Sequence, residues 1–344
     1  MSVVVESGAL RGHIRRAVAG QHLSRQDAFA AINAILLPEA TPAQVAALLI
    51  ALATKGETAA ELAGAATALR ARCTPVVARC SPLLDLCGTG GDARGTFNIS
   101  TTSAFVVAGA GVPVAKHGNR AMSSRCGSAD VLEALGVDIA APPDRAAQTL
   151  ERCGIAFLFA QRYHPALHKV AAVRRELGVR TVFNLVGPLA NPASPSHQVV
   201  GVASLQAMPL VAEALQQLGC RRGAVMHADD GLDEASLSGP TSIIEWDGDA
   251  SRAYRIHPEQ AGLQRARTDE LSGGDAALNA ALLLAVLRGE PGPRRDVVVL
   301  NAALALHVCG QAASLPAAAR LAQASIDSGA AYGKLRDLIA ASTA

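Results

Sequence analysis

The sequence predicts an α/β protein in which a small all-helical domain accompanies a larger α/β domain with a mostly parallel sheet. Three observations lead there. Residues 8–72 place apolar side chains at helical spacing with no strand-like alternation. From Pro82 onward, short apolar runs alternate with helical ones, the rhythm of repeated strand–helix units. Hydrophobic residues make up 50% of the chain but aromatics only 3%, so the core must be built of Ala, Leu and Val, which suits helix packing better than an aromatic-rich β-sandwich.

The elements follow in order. Ser24 is placed to N-cap a helix ending near Leu37-Pro38, Thr41-Pro42 opens the next, and Gly56 breaks the pattern before Thr58–Arg72 resumes it. Leu83–Cys87 reads as a strand interrupted by Asp85, Thr101–Ala110 as a helix and Val112–Ala115 as a strand. Ser128–Leu135 and Pro143–Cys153 are helices stopped by Gly136 and Gly154, and Ile155–Ala160 is a buried strand. The unit repeats with Gln198–Ala203, a helix over Leu205–Leu218, and Gly223–His227. Ser242–Trp246 and Ala253–His257 form a hairpin turning at Asp247-Gly248, and the chain from Asp275 is mostly helical. The helical stretch from His164 to Ala190 interrupts the rhythm and is expected to return to the N-terminal helices. The expected domains are therefore 1–80, joined by 164–190, and 81–163 with 191–344.

The 344 residues carry 31 Lys+Arg and 29 Asp+Glu, a formal charge of +2. Without a basic stripe or aromatic stacking platforms, the chain does not read as a nucleic-acid binder. Seven cysteines without a C-x-x-C pair signal neither a disulfide scaffold nor a zinc ribbon. The N-terminus lacks a secretory pattern, and the uncharged stretch Phe97–Ala115 is too rich in Ser, Thr, Gly and Pro for a membrane span. The expectation is a reducing, cytoplasmic setting with no membrane partner.

Three segments carry chemistry. In LLDLCGTGGDARGTFNISTTSAF (83–105) a strand delivers a glycine loop to the start of a helix. There the backbone approaches closely and free N–H groups favour an anion. The loop lacks the Gly-Lys-Ser/Thr of a Walker loop and the third glycine of a dinucleotide fingerprint; a tight strand–helix turn alone would also use its glycines. KHGNRAMSSRCGSADVLEALG (116–136) packs cations, amides and hydroxyls into ten positions at the same sheet edge, where a solvated basic turn would be the plainer reading. MHADDGLDEASL (226–237) places Asp229, Asp230, Asp233 and Glu234 after another strand; beside a phosphate cradle this suits Mg²⁺, and by itself it would be an acidic surface loop.

Together GTGGD with FNIST, KHGNRAMSSRCGSADVLEALG, HPALHKVAAVRRELGVRTVFNLVGPLANP and GLDEAS closely resemble the anthranilate phosphoribosyltransferases, in register from about residue 10 to 340. The resemblance implies a homodimer formed through the helical domain, the fold shared with nucleoside phosphorylases, and tryptophan biosynthesis as the setting. It implies transfer of phosphoribose from 5-phosphoribosyl-1-diphosphate to the amine of anthranilate, with release of diphosphate. By the resemblance, the donor is held by Gly88, Gly91, Asp92, Thr96, Asn98, Ile99, Ser100 and Thr101. The basic loop adds Lys116, His117, Gly118, Asn119, Arg120, Ala121, Met122, Ser123 and Ser124, and Ser128 follows it. Anthranilate falls to Gly88, Asn119 and Arg174, with Arg175 the neighbour most easily confused with Arg174. Two Mg²⁺ per monomer are implied, on Ser100, Asp233 and Glu234.

The same charge logic needs no dedicated acid or base, because the leaving diphosphate is stabilised electrostatically and an aryl amine is already nucleophilic. The competing reading is a related pyrimidine nucleoside phosphorylase, whose basic loop differs from the K-H-G-N-R-x-x-S-S found here. The second phosphoribosyltransferase class is excluded because Gly-Leu-Asp-Glu, not a Thr-Gly-x-Thr loop, follows Asp229-Asp230.

Overall fold

The computed structural model describes residues 7–121 and 125–343. Four helices come first: α1 (Ser7–Val18), α2 (Arg25–Ile35), α3 (Pro42–Lys55) and α4 (Ala59–Arg72). Their starts are fixed locally. The Ser24 hydroxyl accepts from the Asp27 N–H, and Thr41 with Gln44 and Thr58 with Glu61 form reciprocal capping boxes. Glu61 goes further: buried, it accepts from the Leu23 N–H at 2.7 Å and pairs with Lys55 at 2.7 Å, so one carboxylate ties together the starts of α2 and α4 and the end of α3.

The remainder is built on β1 (Leu84–Gly88), α5 (Ile99–Gly109), β2 (Val114–Gly118), α6 (Ser128–Ala134), α7 (Pro143–Cys153) and β3 (Ile155–Phe159). Three helices cross over next, α8 (Ala160–Tyr163), α9 (His168–Leu177) and α10 (Val182–Val186). Then follow β4 (His197–Gly201), α11 (Ala207–Gln217), β5 (Arg222–Ala228), β6 (Thr241–Asp247) and β7 (Ala250–Ile256). The chain finishes with α12 (Ala276–Leu287), α13 (Pro293–Val308), α14 (Leu315–Asp327) and α15 (Ala330–Thr343). The sheet runs β3-β2-β1-β4-β5-β6-β7, parallel through β5 and antiparallel across the last two pairings. The order reverses between β1 and β4, and the crevice beyond the strand ends at such a switch point is where open α/β sheets hold ligands.

Helices cover both faces. One apolar cluster joins Leu84, Leu86, Val114, Phe157, Val199 and Met226 to α5, α12, α13, α14 and α15. A second joins Val200, Val225 and Trp246 to α11 and to α1–α4, and it also contains Val170 and Val173 of α9 and Val182, Phe183 and Val186 of α10, while a small third one packs Ala146 and Leu150 of α7 with Ala115, Ala156 and Leu158 of β2 and β3. Most boundaries differ from the sequence reading by one to three residues, and two of the differences move functional or turn residues. β2 begins at Val114 and runs to Gly118, so Lys116 and His117 lie within the strand and not after it. The hairpin turns at Gly248-Asp249, because Asp247 pairs with Ala250 and Gly248 supplies φ +58° at the first turn position.

Candidate active site

The glycine loop leaves β1 at Gly88. The Thr89 N–H continues the ladder by donating to the Gly201 carbonyl of β4 at 2.9 Å, and Gly90 (φ +69°) and Gly91 (φ +79°) then turn through a left-handed conformation that side chains disfavour. Asp233, in the loop after β5, is brought here by packing. Its main-chain carbonyl sits where a Cβ on Gly201 would be, and its carboxylate fills the space a Cβ on Gly88 would need. Asp233 Oδ2 accepts from the Gly90 N–H at 2.7 Å. Glu234 turns the other way, and its Oε1 accepts from the Ser100 N–H at the start of α5 at 3.0 Å. The other oxygen, Glu234 Oε2, is buried with no partner among the described residues.

Burial drives the electrostatics. Asp233 and Glu234 both bind a proton more tightly than ordinary carboxylates. For Asp233 the neighbouring Asp92 adds to the desolvation, and for Glu234 the Asp233 charge adds to it while Lys116 opposes it. The pair is thus poised for positive charge. The remaining two acids of the cluster have other work. Asp229 pairs with Arg255, and Asp230 accepts from the hydroxyls of Ser236, Ser238 and Thr268, which hold its carboxyl below the ordinary range. The resemblance singles out Asp233 and Glu234 among the four acids, and packing of Asp233 against Gly88 and Gly201 is the physical counterpart of that choice.

The basic segment occupies the adjoining strand end. Lys116 is buried and donates to the Leu86 carbonyl at 2.7 Å, and the His117 N–H donates to Asp85 Oδ1 at 3.2 Å. Arg120 forms ion pairs with Asp130 (3.0 Å) and Glu133 (2.8 Å), and the Ala121 and Gly127 N–H groups both donate to Asp130 Oδ2 at 2.9 Å. The loop is therefore anchored by an acid from its own following helix. The Asn119 carbonyl accepts from the Ser128 hydroxyl at 3.3 Å, and its side-chain oxygen accepts from the Gln161 amide at 3.3 Å. Gly118 leaves room for Ser128, whose hydroxyl fills the place of a Cβ there. Met122, Ser123 and Ser124 lie outside the described residues.

Ile99 and Thr101 are buried, which leaves their backbone groups as the parts that can meet a ligand, while Ser100 is half-buried. Thr96 bridges to Ser272. Arg174 is half-buried with its guanidinium 5.0 Å from the Phe183 ring centre, whereas Arg175 is exposed; desolvation lowers the Arg174 pKa.

Several supporting residues escaped the motif reading. Asp85, buried under the loop, accepts from Asn191 Nδ2 at 2.8 Å as well as from His117, and burial pushes it up to about 6. Its signal was an acid inside an otherwise apolar strand. Arg180 donates to the Gly90 carbonyl at 3.4 Å from the segment between α9 and α10. The rings of His117 and His164 meet edge-on with centres 5.3 Å apart, and burial pushes them down to about 3 and about 4.

Family comparison agrees with the fold. Residues 80–332 match a family described as glycosyl transferase family, a/b domain, and residues 11–73 match its helical bundle domain. Fold and site thus define a glycosyl transferase of the helical-bundle-plus-α/β class. Named relatives narrow it. The chain is 53% identical to anthranilate phosphoribosyltransferase of Moorella thermoacetica, over 96% of this chain and 98% of that one. It is 52% identical to that of Thermomicrobium roseum, over 94% of each. The crystal structure of the Thermus thermophilus enzyme (45% identity, TM-score 0.92, 96% and 99% covered) and a solved structure of the Saccharomyces cerevisiae enzyme in complex with PRPP and Mg (26%, 0.91, 98% and 99%) share the fold. The chain belongs to the anthranilate phosphoribosyltransferase family.

Proposed function

We infer that this protein transfers the 5-phosphoribosyl group from 5-phosphoribosyl-1-diphosphate to the amine of anthranilate, giving N-(5-phosphoribosyl)anthranilate and diphosphate in tryptophan biosynthesis. The observation that carries the mechanism is the placing of Asp233 on the Gly90 N–H and Glu234 on the Ser100 N–H, two buried carboxylates at the two elements that offer backbone N–H groups to an anion. A nucleoside phosphorylase, which takes inorganic phosphate, has less use for such a pair.

The donor set fits Mg²⁺. Its atoms are hard oxygens, Glu234 Oε2 lacks a partner among the described residues, and burial with the neighbouring Asp92 and Asp233 charges outweighs the one cation, Lys116, that acts on Glu234. Asp233, Glu234 and the Ser100 hydroxyl would hold the metal in two sites per monomer. When bound, Mg²⁺ supplies Lewis-acid stabilisation of the diphosphate charge. The chain's own groups do the rest. Gly88, Gly91, Asp92, Thr96 and the start of α5 (Asn98, Ile99, Ser100, Thr101) cradle the donor, with the Thr101 N–H the one left open for an anion in the first turn among the described residues. The segment Lys116–Ser124 with Ser128 covers its phosphates and favours departure of the leaving group. Positive charge then develops on the ribose ring. Arg174, with its fork of donors, and Asn119 hold the anthranilate carboxylate and amine beside Gly88, so the nitrogen bonds to the anomeric carbon as the bond to diphosphate breaks, and the surplus amine proton passes to the departing diphosphate or to water without a protein base.

In the same reading, residues 1–80 with 164–190 form the small domain, and 81–163 with 191–344 the large one. Two copies associate through the helical domain, where Val18 and Ile50 are exposed on α1 and α3. The cytoplasm is the expected setting. No described helix is long and apolar enough to cross a membrane.

Anthranilate fluorescence tests the activity: it should decay when phosphoribosyl diphosphate and Mg²⁺ are added together to the purified chain. Persistence of the signal, with phosphorolysis of a pyrimidine nucleoside instead, would overturn the reading.

A further inference from the structure

Asn279 belongs to none of the motifs above, yet it is buried in α12 behind the donor loop, with 1% of its surface exposed. Its Oδ1 accepts from the Gly274 N–H at 2.7 Å, so its Nδ2 faces outward and donates to Asn98 Oδ1 at 2.8 Å. The Asn98 Nδ2 in turn donates to the Cys126 carbonyl at 3.2 Å, at the end of the basic segment. The chain carrying Gly274 is stitched to the chain entering α5, since Phe97 donates to the Leu271 carbonyl (3.0 Å) and Gly273 to that of Gly95 (2.9 Å). A Cβ at Gly273 would lie 2.6 Å from Asn279 Oδ1 and 2.7 Å from Phe97 Cα. The three segments are therefore closed around one amide.

Asn98 is the N-cap residue of α5. Asn is among the preferred residues there because its side-chain oxygen accepts from the first turn of the helix, but here the side chain makes no cap bond. Its oxygen is held by Asn279 instead. In the first turn, Ile99 donates to the Phe97 carbonyl and Ser100 to Glu234. The Thr101 N–H is left with no partner among the described residues. An uncapped helix start is a place where an anion is stabilised.

We propose that Asn279 is a positioning residue for donor binding: by holding the Asn98 side chain away from α5, it keeps the Thr101 N–H open for a phosphate of the donor. The inference rests on the donor assignment made above. It explains why a residue type suited to capping stands at a helix start and does not cap.

The first arm of the test leaves the buried Asn279 in place. In Asn98→Ser the short hydroxyl cannot reach Asn279 but can cap α5 itself, competing with phosphate; in Asn98→Ala no cap is possible. The Ser variant should melt higher than the Ala variant and yet bind phosphoribosyl diphosphate about fivefold more weakly, by calorimetry and by donor KM. Asn279→Ala should raise the donor KM about tenfold with the anthranilate KM within about twofold, and should add nothing further to Asn98→Ala. A Ser variant that binds the donor as well as the Ala variant overturns the proposal, and so do multiplicative effects of the two sites. Turnover by the unmodified chain separates the two levels: if it converts anthranilate while the variants disagree, only the role of Asn279 falls.

Discussion

Arg174 and Arg175 are neighbours in the sequence with different surroundings. The first is half-buried over Phe183 and partly stripped of water, and the second points to solvent. A desolvated guanidinium gains more from a bound carboxylate than a hydrated one. Arg174→Ala should therefore raise the anthranilate KM by about ten- to a hundredfold and spare the donor KM, while Arg175→Ala leaves both nearly unchanged. The reverse pattern in steady-state kinetics would transfer the role to Arg175. The motif VRRELG pointed to this pair, but choosing between its members takes the helical phase of α9 against α10, which no local pattern carries. Asp233 and Glu234 stand differently: the role proposed for them is implied by the resemblance in GLDEAS, while the orientation of Asp233 depends on two distant glycines and that of Glu234 on the Ser100 N–H.

At the scale of elements, glycine decides how closely the strand ends and the acidic loop approach. A Cβ on Gly201 would overlap the Asp233 backbone, which cannot rotate away. Gly201→Ala should cost about 1–3 kcal/mol and lower turnover as well, since Asp233 must shift. Gly333, inside α15 with open space around it, is the control; Gly333→Ala should stabilise by about 0.5–1 kcal/mol. Equal thermal shifts in the two variants would contradict the packing argument.

The facing imidazoles of β2 and the start of the crossover segment make a second element-scale prediction. His117 and His164, with Arg70 of α4 nearby, stay neutral in the fold down to about pH 3 and about pH 4, whereas an unfolded imidazole takes up a proton near 6.5. The unfolded chain binds more protons in that window, so stability falls as pH drops from about 6.5 toward 4. Asp85, raised to about 6, works in the opposite direction between about 4 and 6. In urea, His164→Gln should lose less stability than the unmodified chain between pH 7 and pH 5; parallel losses would refute the assignment. These elements were largely legible beforehand, because caps and glycine stops announce helix ends. β2 was not fully so: its last residues are Lys116, His117 and Gly118, and a strand that ends in polar side chains reads as a loop until Asp85 and the Leu86 carbonyl are seen to receive them.

For the whole molecule, the fold class followed from composition and alternation, but the meeting of 88–101, 116–121 and 233–234 did not. It depends on β1 lying between β2 and β4, a strand order that sequence spacing does not dictate. That convergence concentrates backbone N–H groups, cations and two cation-hungry carboxylates at one crevice, and the mechanism asks nothing more elaborate of the protein. Calorimetric titration of phosphoribosyl diphosphate into the chain, with and without Mg²⁺, examines it most directly. Binding should be tight with Mg²⁺, weakened at least tenfold by chelation and again by combined Asp233→Asn and Glu234→Gln substitution. Equal affinity with and without the metal, unchanged in the double variant, would contradict it.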